Sequence, residues 1–412
     1  MTFPELAHTI MSRADALAAF SEMDGGICRR FGTPEMSSAN EQTATWMREA
    51  GMRTAIDSFG NLVGTLPAAD GSVETRPFVI GGHLDSVRDA GRYDGVLGVL
   101  TGIAVAEWLG QQQRRLPFPL QVIAFADEEG LRYQSLGGSQ AWAGLPMTQS
   151  LDDVDADGIS LREAVQAAGG DPDALSARQR PDILGFLETH IEQGPVLQAK
   201  DLPVGVVSSI VGSERMNVTL DGMAGHAGTV PMTMRRDALT AAAEIVLAIE
   251  RIASATPDMV GTVGQLDVHP GASNVIPGKV RLSCEVRHPS IEACQHAIAA
   301  IKREAEEIGV RRGVTPSWQD VPGYTPTQCD PALIDLLGEA IAAQGIPVLQ
   351  LPSGAGHDAI NVSQIAPVSM LFVRCKDGIS HNPAELIDVS DVEVAIRVMA
   401  AFLDSVQDSS PR

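Results

Sequence analysis

The stretch GGHLDSVRDAGRYDGVLGVL, residues 81–100, sets one histidine and three aspartates among five glycines. His83, Asp85, Asp89 and Asp94 lie between two apolar segments, where a strand should give way to a helix. FADEEG places Glu128 beside Glu129, ETHIEQG carries His190, and GISHNPAE carries His381. Singly these residues mean little, because an acid after a strand is usually a helix cap and ADEEG alone reads as one. The set reads differently. His83, Asp94, Glu128, Glu129, His190 and His381 each follow an apolar run or stand beside glycine, and none sits on an obvious polar helix face. Imidazole nitrogens with carboxylate oxygens suit zinc, manganese or cobalt. Two adjacent glutamates repel each other unless a cation lies beside one of them.

Regular elements must hold these groups. RPFVIGGHLDS and LPFPLQVIAFADEEG are apolar runs that end in polar clusters, and residues 95–114 between them have helical spacing. Strand, helix, strand is the unit of a parallel sheet, and both clusters then fall at carboxyl ends of strands, where open α/β sheets bind ligands. From about residue 212 the pattern changes. SERMNVTLDG alternates like a half-exposed strand, RRDALTAAAEIVLAIERIAS is an amphipathic helix, and MVGTVGQLDVH and KVRLSCEVRH are two further strands. A second helix, IEACQHAIAAIKREAEEIG, and a last strand, VTPSWQD, complete a β-α-β-β-α-β order of ferredoxin-like type. The expected fold is α/β: a central, mostly parallel sheet flanked by helices over 1–211 and 326–412, with the ferredoxin-like α+β unit inserted at 212–325.

Composition narrows the partners. Lys and Arg number 30 against 52 Asp and Glu, a net charge of −22, which speaks against nucleic acid and anionic membrane surfaces. An anionic substrate would need a local positive site. Five cysteines without a C-x-x-C pattern suggest a reduced, cytoplasmic protein. MTFPELAHTIMSRADALAAF lacks a basic segment followed by an apolar run, so it does not read as a signal peptide. The greasiest stretch, GVLGVLTGIAVAEWLG, is too short to span a bilayer and reads as a buried helix.

GGHLDSVRDAGRYDG, FADEEG, ETHIEQGPVL, AGHAGTVPM, GASNVIPG, SGAGHDA and GISHNPAE, in this order from about residue 25 to the end, resemble the amidase and carbamoylase branch of the M20 metallopeptidase-like family. The resemblance implies two divalent ions per subunit, manganese or zinc, with cobalt and nickel also compatible. Asp94 would bridge them, with His83 and His190 completing one site and Glu129 and His381 the other. Asp85 would fix the imidazole of His83 from behind. Glu128 matches the general base. The inserted unit would be a lid and dimerisation domain, with Asn274 and Arg287 binding the substrate carboxylate. A bidentate Arg fork suits a carboxylate, although the plain alternative for Arg287 is a surface salt bridge. His226 resembles a lid histidine that reaches in from the neighbouring subunit of a homodimer to stabilise an oxyanion. Gln193 and His357 resemble substrate-contacting residues. Asp89 reads as a solvated acid, and His8, His269, His288 and His296 as structural. The chain departs from its relatives at LRYQSLGGSQ after the glutamate pair, and at Val230, where Thr is frequent.

The expected reaction is hydrolysis of a linear ureido or amide C–N bond in a small carboxylate. A carbamoyl carbon is a poor electrophile because two nitrogens donate into it, so the water needs a base. GRYDGVLGVL, HPGASNVIPG and GISHNPAE look closest to bacterial allantoate amidohydrolases, which favours allantoate. N-carbamoyl-L-amino acid hydrolases share nearly every motif and are the alternative, or a hydrolase of a 3-ureidopropionate-type substrate. HIEQG and GAGHDA weigh against a metallo-exopeptidase, and Glu128 weighs against a binding module with a relict site.

Overall fold

The computed structural model describes residues 1–177, 181–321 and 323–406. Position 322 of the expected insert and the end of the second catalytic segment beyond 406 lie outside the described residues. The chain opens with two helices, α1 (Phe3–Ala18) and α2 (Pro34–Glu49), each started by a threonine with proline in the first turn. Next come β1 (Arg53–Ile56), β2 (Leu62–Leu66), β3 (Phe78–His83), α3 (Val96–Gln111), β4 (Leu120–Phe125), β5 (Gly185–Ile191) and β6 (Val204–Ile210). A second series follows: β7 (Gly212–Asp221), α4 (Ala238–Ser254), β8 (Leu266–His269), β9 (Lys279–His288), α5 (Ile291–Arg312) and β10 (Thr315–Val321). The last elements are α6 (Pro331–Ala342), β11 (Val368–Val373) and α7 (Val389–Ser405).

The chain divides into two compact units, Met1–Ser208 with Cys329 onward, and Ser209–Gln328. The sequence pattern draws these borders at 212 and 325.

In the first unit the main sheet runs β1-β2-β4-β3-β5-β11-β6. β3, β4, β5 and β11 are parallel to their neighbours within that group, while β1, β2 and β6 pair antiparallel at the flanks. This is the mainly parallel α/β sheet that the sequence predicts. β3, β5 and β11 are buried along their whole length, as strands covered on both faces must be. Leu6, Ile10, Ile80, Ile103, Val122, Leu371, Ile396 and Phe402 belong to one continuous core.

The greasy segment after residue 95 is α3, buried on nearly all sides rather than along one stripe. Small residues let it lie on the sheet backbone to backbone. A Cβ on Gly98 would fall 2.5 Å from the Gly81 carbonyl oxygen, and one on Gly82 would fall 2.5 Å from that of Gly95. This close seating brings the start of α3 against the end of β3.

In the second unit the sheet order is β8-β9-β7-β10, with every neighbouring pair antiparallel. Ala241, Ile245 and Ile249 of α4 and Ile298 and Ile301 of α5 share a core with Val280, Leu282 and Val286 of β9. β9 alternates buried and partly exposed residues, as a strand with one covered face does. The stretch read as one strand over 259–269 is interrupted. Val260–Thr262 pairs with one end of β9 and Leu266–His269 with the other. In the gap the Ser283 hydroxyl accepts the N–H groups of Gly264 and Gln265, replacing the missing ladder bonds.

Candidate metal centre

The parallel strands deliver the site. β3 ends at His83, and a turn leads to Asp94 at the foot of α3. Gly95 is required there: it has φ 67°, and a Cβ would stand 2.3 Å from Nε2 of His83. Asp94 presents Oδ1 to Nε2 of His190 at 3.0 Å and to Nε2 of His83 at 3.7 Å. Its Oδ2 faces Nε2 of His381 at 3.2 Å. Glu129 Oε2 lies 3.8 Å from the same His381 nitrogen, and Glu128 Oε2 lies 3.7 Å from Nε2 of His83. Three groups, His83–Asp94–His190, His83–Glu128–Glu129 and Asp94–Glu129–His381, each bring ligand atoms within 4.8 Å of one another. His83, Asp94 and Glu129 each belong to two of them.

Backbone acceptors orient the two inner histidines. Nδ1 of His83 meets the Asp85 carbonyl at 3.1 Å, and Nδ1 of His190 meets the Ile191 carbonyl at 2.9 Å. A carbonyl only accepts, so each neutral ring carries its proton on Nδ1 and turns a free Nε2 lone pair inward. The Asp85 carboxylate, with Oδ1 3.6 Å from Nδ1 of His83, has a second task. Its oxygens accept the N–H groups of Glu128 at 3.2 Å and Glu129 at 3.0 Å, and so fix the backbone of the glutamate pair. Gln193 donates from Nε2 to Asp94 Oδ2 at 2.9 Å and to the Ser380 hydroxyl at 3.0 Å, while Ser380 donates to that same Asp94 oxygen at 2.9 Å. Asp127, Gln193 and His381 hold left-handed backbone near φ 55°, a conformation that costs roughly 1–3 kcal/mol per non-glycine residue.

The electrostatics ask for a cation. Asp85, Asp94, Glu128, Glu188, Asp358 and Glu385 are all buried, and Glu129 is half-buried. Burial, with the neighbouring Glu129 charge, pushes Glu128 well above the usual carboxylate range. Burial, then Asp94 and Asp85, pushes Glu129 up to about 8. For Asp94 burial works upward, but hydrogen bonds from His190 and His381 outweigh it and hold the carboxyl well below its ordinary value. His190 moves up to about 9: burial opposes its charge, and contact with Asp94 more than offsets that. Oε1 of Glu129 is buried without a hydrogen-bond partner. Crowded acids, imidazole Nε2 atoms turned inward and an unsatisfied carboxylate oxygen together fit divalent cations.

Residues 79–405 match the peptidase family M20/M25/M40. The chain belongs to the M20 family. It is 39% identical over 378 residues to an N-carbamoyl-L-amino acid amidohydrolase of Geobacillus stearothermophilus, covering 91% of this chain and 92% of that one. It is 35% identical over 431 residues to the allantoate deiminase of Arabidopsis thaliana, with 96% and 81% covered. Among solved structures, an amidase of the hydantoinase/carbamoylase family from Burkholderia multivorans superposes with a TM-score of 0.91 at 31% identity, covering 98% of both chains. The relatives are named as amidohydrolases of non-peptide C–N bonds, and this M20 chain is a hydrolase of that kind.

Of the residues singled out in the sequence, the M20 fold gathers His83, Asp85, Asp94, Glu128, Glu129, His190, Gln193 and His381 in the first unit. His357 joins them, its ring centroid 4.6 Å from that of His190 and its Nε2 2.7 Å from the Ser353 hydroxyl. His226, Asn274 and Arg287 lie in the second unit. His226 and Asn274 are neighbours there: Val275 pairs with His226 in a two-stranded ribbon, and Ala227 N–H donates to the Asn274 carbonyl at 2.9 Å. Both are exposed. Arg287 lies on β9 with its guanidinium 3.0 Å from Glu285. Asp89 is exposed, as a solvated acid should be.

Three contributors to the M20 site escape a sequence reading. Arg29 is 2% exposed and donates to the Leu84 carbonyl at 2.6 Å behind the His83 turn; burial brings it down to about 10. Glu188 lies beneath His357, with Oε1 3.9 Å from Nδ1. Glu385 reaches the Asp94 turn from 292 positions further along the chain. Two of them carried a signal, Glu385 as the acid that closes GISHNPAE and Glu188 as the acid that opens ETHIEQG.

Proposed function

We propose that this M20 hydrolase cleaves the linear ureido C–N bond of a small carboxylate at a two-metal centre. The observation that carries the reading is Asp94, whose two oxygens face different histidines, with Glu128 beside them. His83, Asp94 and His190 would hold one ion, and Asp94, Glu129 and His381 the other, zinc or manganese by donor type. Bound there, divalent ions supply Lewis acidity that lowers the pKa of water and polarises a carbonyl. Glu128 takes a proton from the attacking water and returns it to the leaving nitrogen as the C–N bond breaks. Its burial supports this role, because a base with a raised pKa holds a proton well enough to pass it on. Gln193 and His357 line the metal side of the substrate. Arg287 and Asn274 take the substrate carboxylate, which would replace Glu285 on the Arg287 fork. The partner's His226 completes the oxyanion site of a homodimer, with the second unit as lid.

Two substrates share this chemistry. The motif stretches GRYDGVLGVL, HPGASNVIPG and GISHNPAE favour allantoate. The higher identity to the N-carbamoyl-L-amino acid enzyme, 39% against 35% for the allantoate enzyme, favours the carbamoyl amino acid. Five buried free cysteines support a cytoplasmic setting, and no helix among the described residues is long and apolar enough to cross a membrane. The test is a panel of allantoate, N-carbamoyl-L-amino acids, 3-ureidopropionate and dipeptides on metal-reconstituted protein, with ammonia and amino-acid release as readouts. Turnover of dipeptides alone would overturn the ureido reading.

A further inference from the structure

We infer that Glu385 is a positioning residue that clamps the Asp94 turn to the His381 loop, and that Gly91 is a glycine in order to admit it. The inference rests on the two-metal reading above. Glu385 is 4% exposed and lies four residues beyond His381. Its Oε1 accepts the N–H of Tyr93 at 2.8 Å and the N–H of Asp94 at 3.2 Å. Its Oε2 stands 3.4 Å from the Ser380 hydroxyl, whose single proton is committed to Asp94 at the shorter distance of 2.9 Å. One carboxylate therefore holds the backbone that presents the bridging aspartate, from the same loop that presents the second-site histidine. Without it two buried N–H groups lose their acceptor.

Gly91 provides an independent observation. A Cβ there would fall 2.1 Å from Cδ of Glu385, 2.2 Å from Oε1 and 2.4 Å from Cβ. These are overlaps with the whole side chain, so any residue but glycine at 91 must push Glu385 off the Asp94 turn. Two positions almost three hundred residues apart in sequence thus form one fitted contact. Glu385 is in none of the three ligand groups, so its effect on a bound ion passes through Asp94 and His381.

The experiment measures Zn²⁺ and Mn²⁺ affinity and stoichiometry of the purified apo chain by chelator competition, with folding checked by circular dichroism. Groups behind metal ligands typically contribute about 10–100-fold in affinity. Glu385→Ala, Glu385→Asp and Gly91→Ala should each weaken binding by roughly that factor. Glu385→Gln keeps an acceptor oxygen at the right reach and should stay within a few-fold of the parent chain. Asp keeps the charge but is one methylene short, so loss in Asp with retention in Gln is a pattern that charge balance cannot produce. Should the alanine variants fail to fold, the Asp and Gln pair decides the matter alone. Parent-like affinity in Glu385→Asp overturns the inference and leaves the metal centre intact. Failure of the parent chain itself to bind metal overturns the reading beneath it.

Discussion

Asp85 Oδ2 accepts the backbone N–H of Glu129 at 3.0 Å, while the backbone carbonyl of Asp85 takes Nδ1 of His83. One residue thus sets two strand ends against each other, β3 through its main chain and the end of β4 through its side chain. Asp85→Ala should leave His83 oriented by the carbonyl and release the glutamate pair. We expect metal affinity to fall by about 10–100-fold, with the weaker of the two ions lost first. Titration of the apo variant with Zn²⁺ checks this, and unchanged binding of both ions would assign Asp85 no part in the centre.

Glu128 is buried and 3.7 Å from His83. Glu128→Gln preserves shape and removes the base. Metal and substrate binding should persist, while kcat drops by roughly 10²–10⁴-fold. Turnover close to that of the parent chain would mean another group takes the proton.

Much of the first unit was legible in sequence because its strands are buried on both faces and end in polar clusters. β3, β4 and α3 follow directly from RPFVIGGH, LPFPLQVIAF and the glycine-spaced run after residue 95. The interruption at residues 263–265 was not legible, because the compensating group is a single hydroxyl, Ser283, on another strand. The ligand-type residues His83, Asp94, Glu129, His190 and His381 were visible because each follows an apolar run or stands near glycine. Arg29 was invisible for the opposite reason: it is a buried polar residue whose partner is distant in sequence, and no local pattern marks it. Glu188 opens ETHIEQG, but its contact with the Ala359 N–H, distant in sequence, is not marked there.

The departure at LRYQSLGGSQ is held by Arg132, which donates to Asp155 at 2.7 Å and to the Phe31 carbonyl at 2.5 Å. Both side chains of the ion pair are 3% exposed. Burial pushes Asp155 upward, but the N–H of Ile159 and the Arg132 guanidinium outweigh it, so its pKa lies below the ordinary value. The sign is that of a depressed acid. Its stabilisation is complete above the unfolded value of about 3.9 and is lost as pH falls through the lower folded value. Asp155→Ala should therefore cost about 1–3 kcal/mol near neutrality, since it leaves the part-buried Arg132 without its charged partner. The gap between parent and variant should narrow below about pH 4. Urea unfolding at several pH values measures it, and a gap independent of pH would remove the ion pair as its cause.

His226 is exposed on its ribbon, and its Nδ1 accepts the N–H of Gly228 at 3.1 Å. The neutral ring therefore carries its proton on Nε2, the state an oxyanion donor needs. If that donor serves the other chain of a homodimer, defects in His226 and Glu128 fall in different chains of the same site. A His226→Ala chain and a Glu128→Gln chain, each nearly inactive alone, should then complement when mixed. In a mixed dimer one site collects both defects and the other keeps an intact Glu128 and the partner's intact His226. Activity should rise toward half that of the parent dimer, scaled by the fraction of mixed dimers. Subunit exchange is verified first with differently tagged chains. Confirmed exchange without recovered activity would make His226 a same-chain or structural residue, and the site would then be complete within one subunit.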